Sequence, residues 1–167
     1  MGTGQSLLTL VAMMILSIIT VKINGNLLTS QGLSQNSKFG LEATSLASSK
    51  IEAANRLYFD EVTKTSAPSS PSSLTSSSSL GPESGETANV DSTFDDFDDY
   101  NNYSVVDSSM QSAKYLVQCK VGYVNASAPD VFVTSPTWHK KMIVTVTSPQ
   151  MTDTIRLSTL YSYWVFR

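Results

Sequence analysis

The chain has 167 residues, a formal net charge of -3, one cysteine and one histidine. That length holds one modest domain plus extensions. A single thiol cannot close an internal disulfide, and one cysteine with one histidine supplies no cluster of zinc spacing. Serine is abundant and charged residues are only 15% of the chain, which excludes a compact, highly charged cytosolic domain.

The first element is apolar. No charged side chain occurs from Met1 to Val21, and the core of the run is Leu7 to Val21. A helix over Gln5 to Val21 runs about 25 Å at roughly 1.5 Å per residue, close to a hydrocarbon core of about 30 Å. A helix apolar on every side must be buried in lipid or among other helices. A secretory signal peptide needs a basic n-region and a small-x-small cleavage site, and neither is present. The segment to Asn24 therefore reads as a plain membrane anchor or as an assembly helix.

The junction Gly4-Gln5-Ser6-Leu7-Leu8 resembles the type IV pilin-like family, which includes the pseudopilins of type II secretion. The resemblance implies a leader over residues 1–4 and a hydrophobic transmembrane and assembly helix over residues 5–24. It implies cleavage by a prepilin peptidase between Gly4 and Gln5, with methylation of the new terminal amine. It also implies residence in the bacterial inner membrane, with an extracytoplasmic domain. From there the subunit would join copies of itself or other pilin-like subunits in a cell-surface or periplasmic filament. Two residues depart from the family pattern. Thr9 stands where the family usually carries an assembly glutamate, which points to a minor or specialised subunit. The leader Met1-Gly2-Thr3-Gly4 has no Lys or Arg, so the positive-inside rule gives no orientation.

Residues 25–62 read as an amphipathic helix region. Gly25 and Gly32, with Asn24, Asn26 and Asn36, lower helix propensity up to Ser37, so this stretch is expected to be irregular or partly helical. Phe39, Ala43, Leu46, Ala47, Ile51, Ala54, Leu57 and Tyr58 then form one stripe at spacings of three and four. That pattern predicts an amphipathic helix from about Lys38 to Tyr58, its stripe against a sheet. The wording from Leu41 to Ala54, followed by Tyr58-Phe59-Asp60-Glu61, is similar to the corresponding helix of minor pilins and pseudopilins.

Residues 63–90 are rich in serine, with Pro68, Pro71 and Pro82. Such a composition predicts a mobile loop that cannot bury enough apolar surface to order itself. Asp91, Asp95, Asp96, Asp98, Asp99 and Asp107 then crowd one short stretch. Clustered carboxylates with Asn neighbours suit calcium, a hard cation that takes oxygen ligands. Asp95, Asp96, Asp98 and Asp99 are the candidate metal ligands, although the spacing is not that of an EF-hand. The alternative is a loop of solvated aspartates pinned by Phe94, Phe97 and Tyr100 packing inward. The run from Phe94 to Tyr100 also resembles a loop of minor pilin-like proteins.

Residues 91–167 hold this acidic loop and an antiparallel sheet. Tyr115, Val117, Cys119, Val121 and Tyr123 alternate with Leu116, Gln118, Lys120 and Gly122, the pattern of a half-buried strand with a buried thiol. Asn125 to Pro136 reads as a loop. Trp138, Met142, Val144 and Val146 mark a second strand, and Ile155, Leu157, Thr159, Tyr161 and Tyr163 a third, in an antiparallel meander. Lys114, Lys120, Lys140, Lys141, Arg156 and Arg167 face only Asp130 and Asp153 here. The acidic loop and the basic sheet either attract each other or form two solvated surfaces. The expected class is α+β, and the resemblance makes it pilin-like: a long hydrophobic N-terminal helix packed on a C-terminal antiparallel sheet.

No chemistry is expected. His139, beside two lysines on a strand, reads as a surface residue. No Ser-His-Asp set, phosphate-cradling loop or base-stacking groove stands out, so neither an enzyme nor a nucleic-acid binder is expected. The expected function is a structural filament subunit with no obligatory cofactor. The alternative is a single-pass membrane-anchored extracytoplasmic binding protein that does not polymerise.

Overall fold

The computed structural model describes residues 2–163. Met1 of the expected leader and Arg167 of the basic surplus lie outside the described residues. The chain divides into two compact units, Met1–Lys38 and Phe39–Arg167.

Helix α1 runs from Thr3 to Ala54. Within the first unit none of its described residues is buried. Among the described residues it is the one helix long and apolar enough to cross a membrane. Hydroxyl groups in its apolar part are satisfied on its own backbone. Thr9 Oγ1 donates to Ser6 O at 2.8 Å, Ser17 to Met13 O at 2.9 Å and Thr20 to Leu16 O at 2.8 Å. A side chain closed in this way places no unsatisfied donor in an apolar medium.

The irregular stretch expected between Asn24 and Ser37 is instead continuous helix. Each glycine weakens a helix by only about 1 kcal/mol relative to Ala. The unfavourable step of helix formation is nucleation, which occurs once for the whole length. Two glycines between long helical flanks do not break it.

In the second unit, Ala43, Ala47 and Ala54 are fully buried, with Phe39, Leu46 and Ile51 beside them. The small alanines let the helix backbone approach the sheet closely. Off that stripe, Leu41 is 73% exposed. The helix ends at Ala54, short of the expected Tyr58. Arg56 and Leu57 turn back to carbonyls three residues away. Tyr58 is drawn instead into a parallel bridge with Asp96, donating to Asp95 O at 3.2 Å and accepting from Phe97 N at 2.8 Å. A tertiary backbone pairing outcompetes the last helical turn.

The sheet contains β1 (Ser104–Asp107), β2 (Tyr115–Asn125), β3 (Ala128–Val133), β4 (His139–Thr147) and β5 (Ile155–Ser162). All pairings are antiparallel, in the order β1-β2-β4-β5, and β3 pairs with the far end of β2. The class is therefore α+β. The three expected strands pair antiparallel in the expected order, here β2-β4-β5. One expectation is corrected: the stretch read as a loop, Asn125 to Pro136, contains β3, which lies on the edge of β2 opposite β4, so the chain crosses between them. The Thr137 hydroxyl holds that crossing by donating to Val124 O at 2.7 Å. Gly122 on β2 has no side chain for a reason: an added Cβ would lie 2.6 Å from the Phe132 ring.

Strand alternation sends Tyr115, Val117, Cys119 and Val121 of β2 and Met142, Val144 and Val146 of β4 to one face, against the alanine stripe. Phe94, Phe97 and Tyr100 pack into the same core, as expected. The cysteine is buried, and that burial pushes its thiol up to about 12.

The Ser-rich segment is also corrected. It buries Leu74 and Leu80 against Phe59 and Tyr123, so it carries enough apolar surface to dock. The short helix α2 (Glu61–Thr65) leads into it, and it contains a 3-10 turn at Pro71–Ser73.

Close packing at Ala47 gives a test. Ala47→Leu should destabilise the full chain in detergent by about 1–3 kcal/mol through overpacking. Leu41→Ala, at an exposed position, should change stability by less than about 0.5 kcal/mol. Urea denaturation followed by circular dichroism compares the two.

Candidate functional site

The most unusual chemistry lies where the end of α1, the Ser-rich segment, the acidic loop and β4 meet. It begins with Lys140. On β4, Lys140 shares parity with Met142, Val144 and Val146, and its register partners are Tyr123 and Tyr161. Its ammonium is therefore delivered to the interior, and its side chain is fully buried. Each N–H finds an acceptor: Phe59 O at 2.7 Å, Asp60 Oδ2 at 2.8 Å and Asp98 Oδ1. The Phe59 and Tyr123 rings lie 4.6 and 5.3 Å from the same nitrogen, close enough for cation-π attraction. Reading Lys140 as part of a basic surface is thus corrected.

Asp60 is the better-satisfied partner. It caps α2, with Oδ1 accepting from Val62 N at 3.2 Å. Thr75 donates to it through backbone N–H at 3.2 Å and hydroxyl at 3.1 Å. The Tyr123 hydroxyl donates to Thr75 O at 2.7 Å and lies 3.1 Å from Asp60 Oδ2. Burial alone would raise this carboxyl. The Lys140 charge and hydrogen bond, with the Thr75 and Val62 amides, outweigh it and hold Asp60 below the ordinary range.

Beside this pair the acidic loop folds on itself. Asp96 Oδ1 accepts from Asp98 N at 2.8 Å and Asp99 N at 3.3 Å. Asp99 Oδ2 accepts from Asp95 N and Asp96 N, both at 2.9 Å. Asp96, Asp98 and Asp99 are buried, so the expectation of solvated aspartates is corrected. Asp95 and Asp98 each give one oxygen to a lysine, Lys64 at 2.5 Å and Lys140 respectively.

The Ser-rich segment adds two acids that sequence reasoning missed, Glu83 and Glu86. Glu86 Oε2 accepts from Glu83 N at 3.0 Å. One carboxylate oxygen of each of Glu83, Glu86 and Asp99 lies within 4.8 Å of the other two, and the same holds for Glu61, Glu83 and Asp96. Among the described residues, Glu83 Oε2, Glu86 Oε1, Asp95 Oδ1, Asp96 Oδ2, Asp98 Oδ2 and Asp99 Oδ1 are buried without a hydrogen-bond donor. Burial, then the charges of Asp98 and Asp99, push Glu83 up to about 8. Burial and the same two neighbours push Asp96 up to about 9. Burial also raises Asp98 against the pull of Lys140, and burial with Asp99 raises Glu86. Such a cluster is neutralised either by protons or by a cation.

The other nominated residues lie elsewhere. Gly4, Gln5 and Thr9 are exposed on the first unit. The half-buried His139 points to the opposite face of β4 from Lys140, with Nδ1 2.8 Å from Ser162 Oγ.

Two outcomes follow from these charges. Lys140→Met leaves Asp60 and Asp98 buried without their cation, and should cost about 3–5 kcal/mol in denaturant unfolding. In chelator, a group whose folded pKa is raised contributes stability below its unfolded value and loses it through its folded value. The melting temperature should therefore fall as pH rises from the ordinary carboxylate values of 3.8 and 4.5 through about 8 and about 9. Thermal melts across that range check the sign.

Compared with known proteins, no family model matches the chain, and no curated protein and no solved structure matches it.

Proposed function

We propose that the chain is a structural subunit of a type IV pilus-like or type II secretion pseudopilus-like filament, held in a membrane before assembly. One observation carries the reading. A single helix, Thr3–Ala54, has an apolar first part with no buried residue and a later alanine stripe packed on an antiparallel sheet. The exposed large hydrophobics from Leu7 to Ile23 need lipid or neighbouring helices around them. A helix that is first a membrane anchor and then part of a bundle meets that need in both states. On this reading the sheet unit forms the outer surface, the fold is pilin-like, and the work is assembly rather than catalysis.

Thr9 fits this role without a charge. Its hydroxyl is closed on Ser6 O, so it can enter an apolar bundle with no counterion. The subunit contact at this position is then one of packing, with no pairing between a carboxylate and a terminal amine.

Processing gives the decisive test. The mature protein should begin at Gln5 when its N-terminus is sequenced, and a chain beginning near Asn26 would instead mean a cleaved signal sequence and end the proposal. A second outcome concerns the apolar run. Met14→Lys places a charge at the centre of the apolar run, where insertion is disfavoured by about 3 kcal/mol. It should remove the chain from membrane fractions and abolish polymers. Polymers that persisted would contradict a buried helical bundle.

A further inference from the structure

The acidic cluster holds more negative charge than its lysines neutralise. Asp60, Glu61, Glu83, Glu86, Asp95, Asp96, Asp98 and Asp99 are linked by contacts or mutual repulsion, and among the described residues only Lys64 and Lys140 pair with them. A buried charge without a partner is strongly unfavourable. The lysines also stand on one side of the problem, since they occupy Asp60, Glu61, Asp95 and Asp98. Glu83, Glu86, Asp96 and Asp99 receive no ammonium at all among the described residues.

Those four carboxylates share a pattern beyond crowding. Asp96, Asp99 and Glu86 each have one oxygen fixed by backbone N–H groups and the other oxygen buried with no donor. Glu83 also has a buried oxygen with no donor. Asp96 and Asp99 are 0% and 1% exposed, so water does not satisfy them from the surface. Fixing one oxygen while leaving the other open is how hydrogen bonding orients a carboxylate that ligates a metal. Oxygens bound to one calcium at about 2.3–2.6 Å lie no more than roughly 5 Å apart. The triads of Glu83, Glu86 and Asp99 and of Glu61, Glu83 and Asp96 meet that limit at 4.8 Å.

We propose that Glu83, Glu86 and Asp99 bind one calcium ion between the Ser-rich segment and the acidic loop, with the open oxygen of Asp96 beside Glu83. All donors are hard carboxylate oxygens, which excludes a preference for a soft metal. Several carboxylates on an irregular loop suit the variable coordination of calcium better than the strict octahedron of magnesium. The ligand set differs from the one expected from sequence spacing. Asp95 and Asp98 are drawn toward lysines, and two glutamates from a distant, Ser-rich stretch take their place. The ion would fasten residues 83–86 to residues 95–99, where no covalent link exists. This site stands apart from the filament reading, since a membrane-anchored monomer would hold it equally well.

The test uses the full chain in detergent, stripped with EDTA and returned to chelator-free buffer. Calorimetric titration with calcium chloride should give one site per chain, and calcium should raise the melting temperature because a ligand bound only by the native state stabilises it. EDTA should reverse the rise. Glu83→Gln and Glu86→Gln, both at partly exposed positions, should fold and should each weaken binding by more than about tenfold. Asp130→Asn, at an exposed position paired with Lys141, should bind as the native chain does. Absence of binding heat together with an unchanged melting temperature overturns the proposal. So does undiminished affinity in Glu83→Gln, or stabilisation by acid alone with none by calcium, which would show that protons neutralise the cluster.

Discussion

The buried ammonium of Lys140 is the constraint around which the second unit is arranged. A lysine taken fully out of water is tolerated only when its charge and all three N–H groups are answered. The answers come from two stretches of chain distant from its own strand: the carbonyl and carboxylate of Phe59 and Asp60 just after α1, and Asp98 in the acidic loop. Thr75 of the Ser-rich segment then closes on Asp60. The Ser-rich segment is thereby held by polar bonds to Asp60 as well as by the burial of Leu74 and Leu80. Such a network specifies one arrangement more sharply than apolar contact does, because a half-satisfied version is so unfavourable.

The same constraint explains why the acidic loop is compact. Asp98 reaches Lys140 only if the loop turns inward, and Phe94, Phe97 and Tyr100 supply the apolar burial that accompanies the turn. Turning inward also carries Asp96 and Asp99 out of water, beside one buried oxygen each of Glu83 and Glu86. Lys140 answers part of that charge and leaves the rest unanswered. The proposed calcium ion and the lysine are thus two halves of one electrostatic problem, separated by which carboxylate oxygens each one meets.

Much of this was legible in the sequence, and the remainder failed for identifiable reasons. The apolar first helix, the stripe from Phe39 to Ala54 and the strands carrying Val117, Val144 and Leu157 follow directly from periodicity. Lys140 shares the period-two parity of Met142, but its charge led to a surface reading and the alternation was not applied to it. Propensity misjudged Gly25 and Gly32 because an isolated preference is weak against a long cooperative helix. Composition misjudged the Ser-rich segment because Leu74 and Leu80 are few but well placed, and because its anchoring is polar. Within the candidate site, Asp96 and Asp99 stood out by clustering. Glu83 and Glu86 did not, since only the fold brings them alongside. Strand β3 was hidden by the turn-forming residues that surround it.

The first unit has a different character, with an apolar surface and no interior of its own. The hydroxyls of Ser6, Thr9, Ser17 and Thr20 are closed on the helix, and its only charged side chain before Lys38 is Lys22. Its apolar run from Leu7 to Ile23 is suited to lipid or to neighbouring helices. The proposed filament supplies that environment from other subunits, while a simple anchor would supply it from lipid alone. Electron microscopy of producing cells, with an antibody raised against the second unit, separates these most directly. Label running along thin filaments is the predicted result; label confined to membrane as dispersed single copies would contradict the filament.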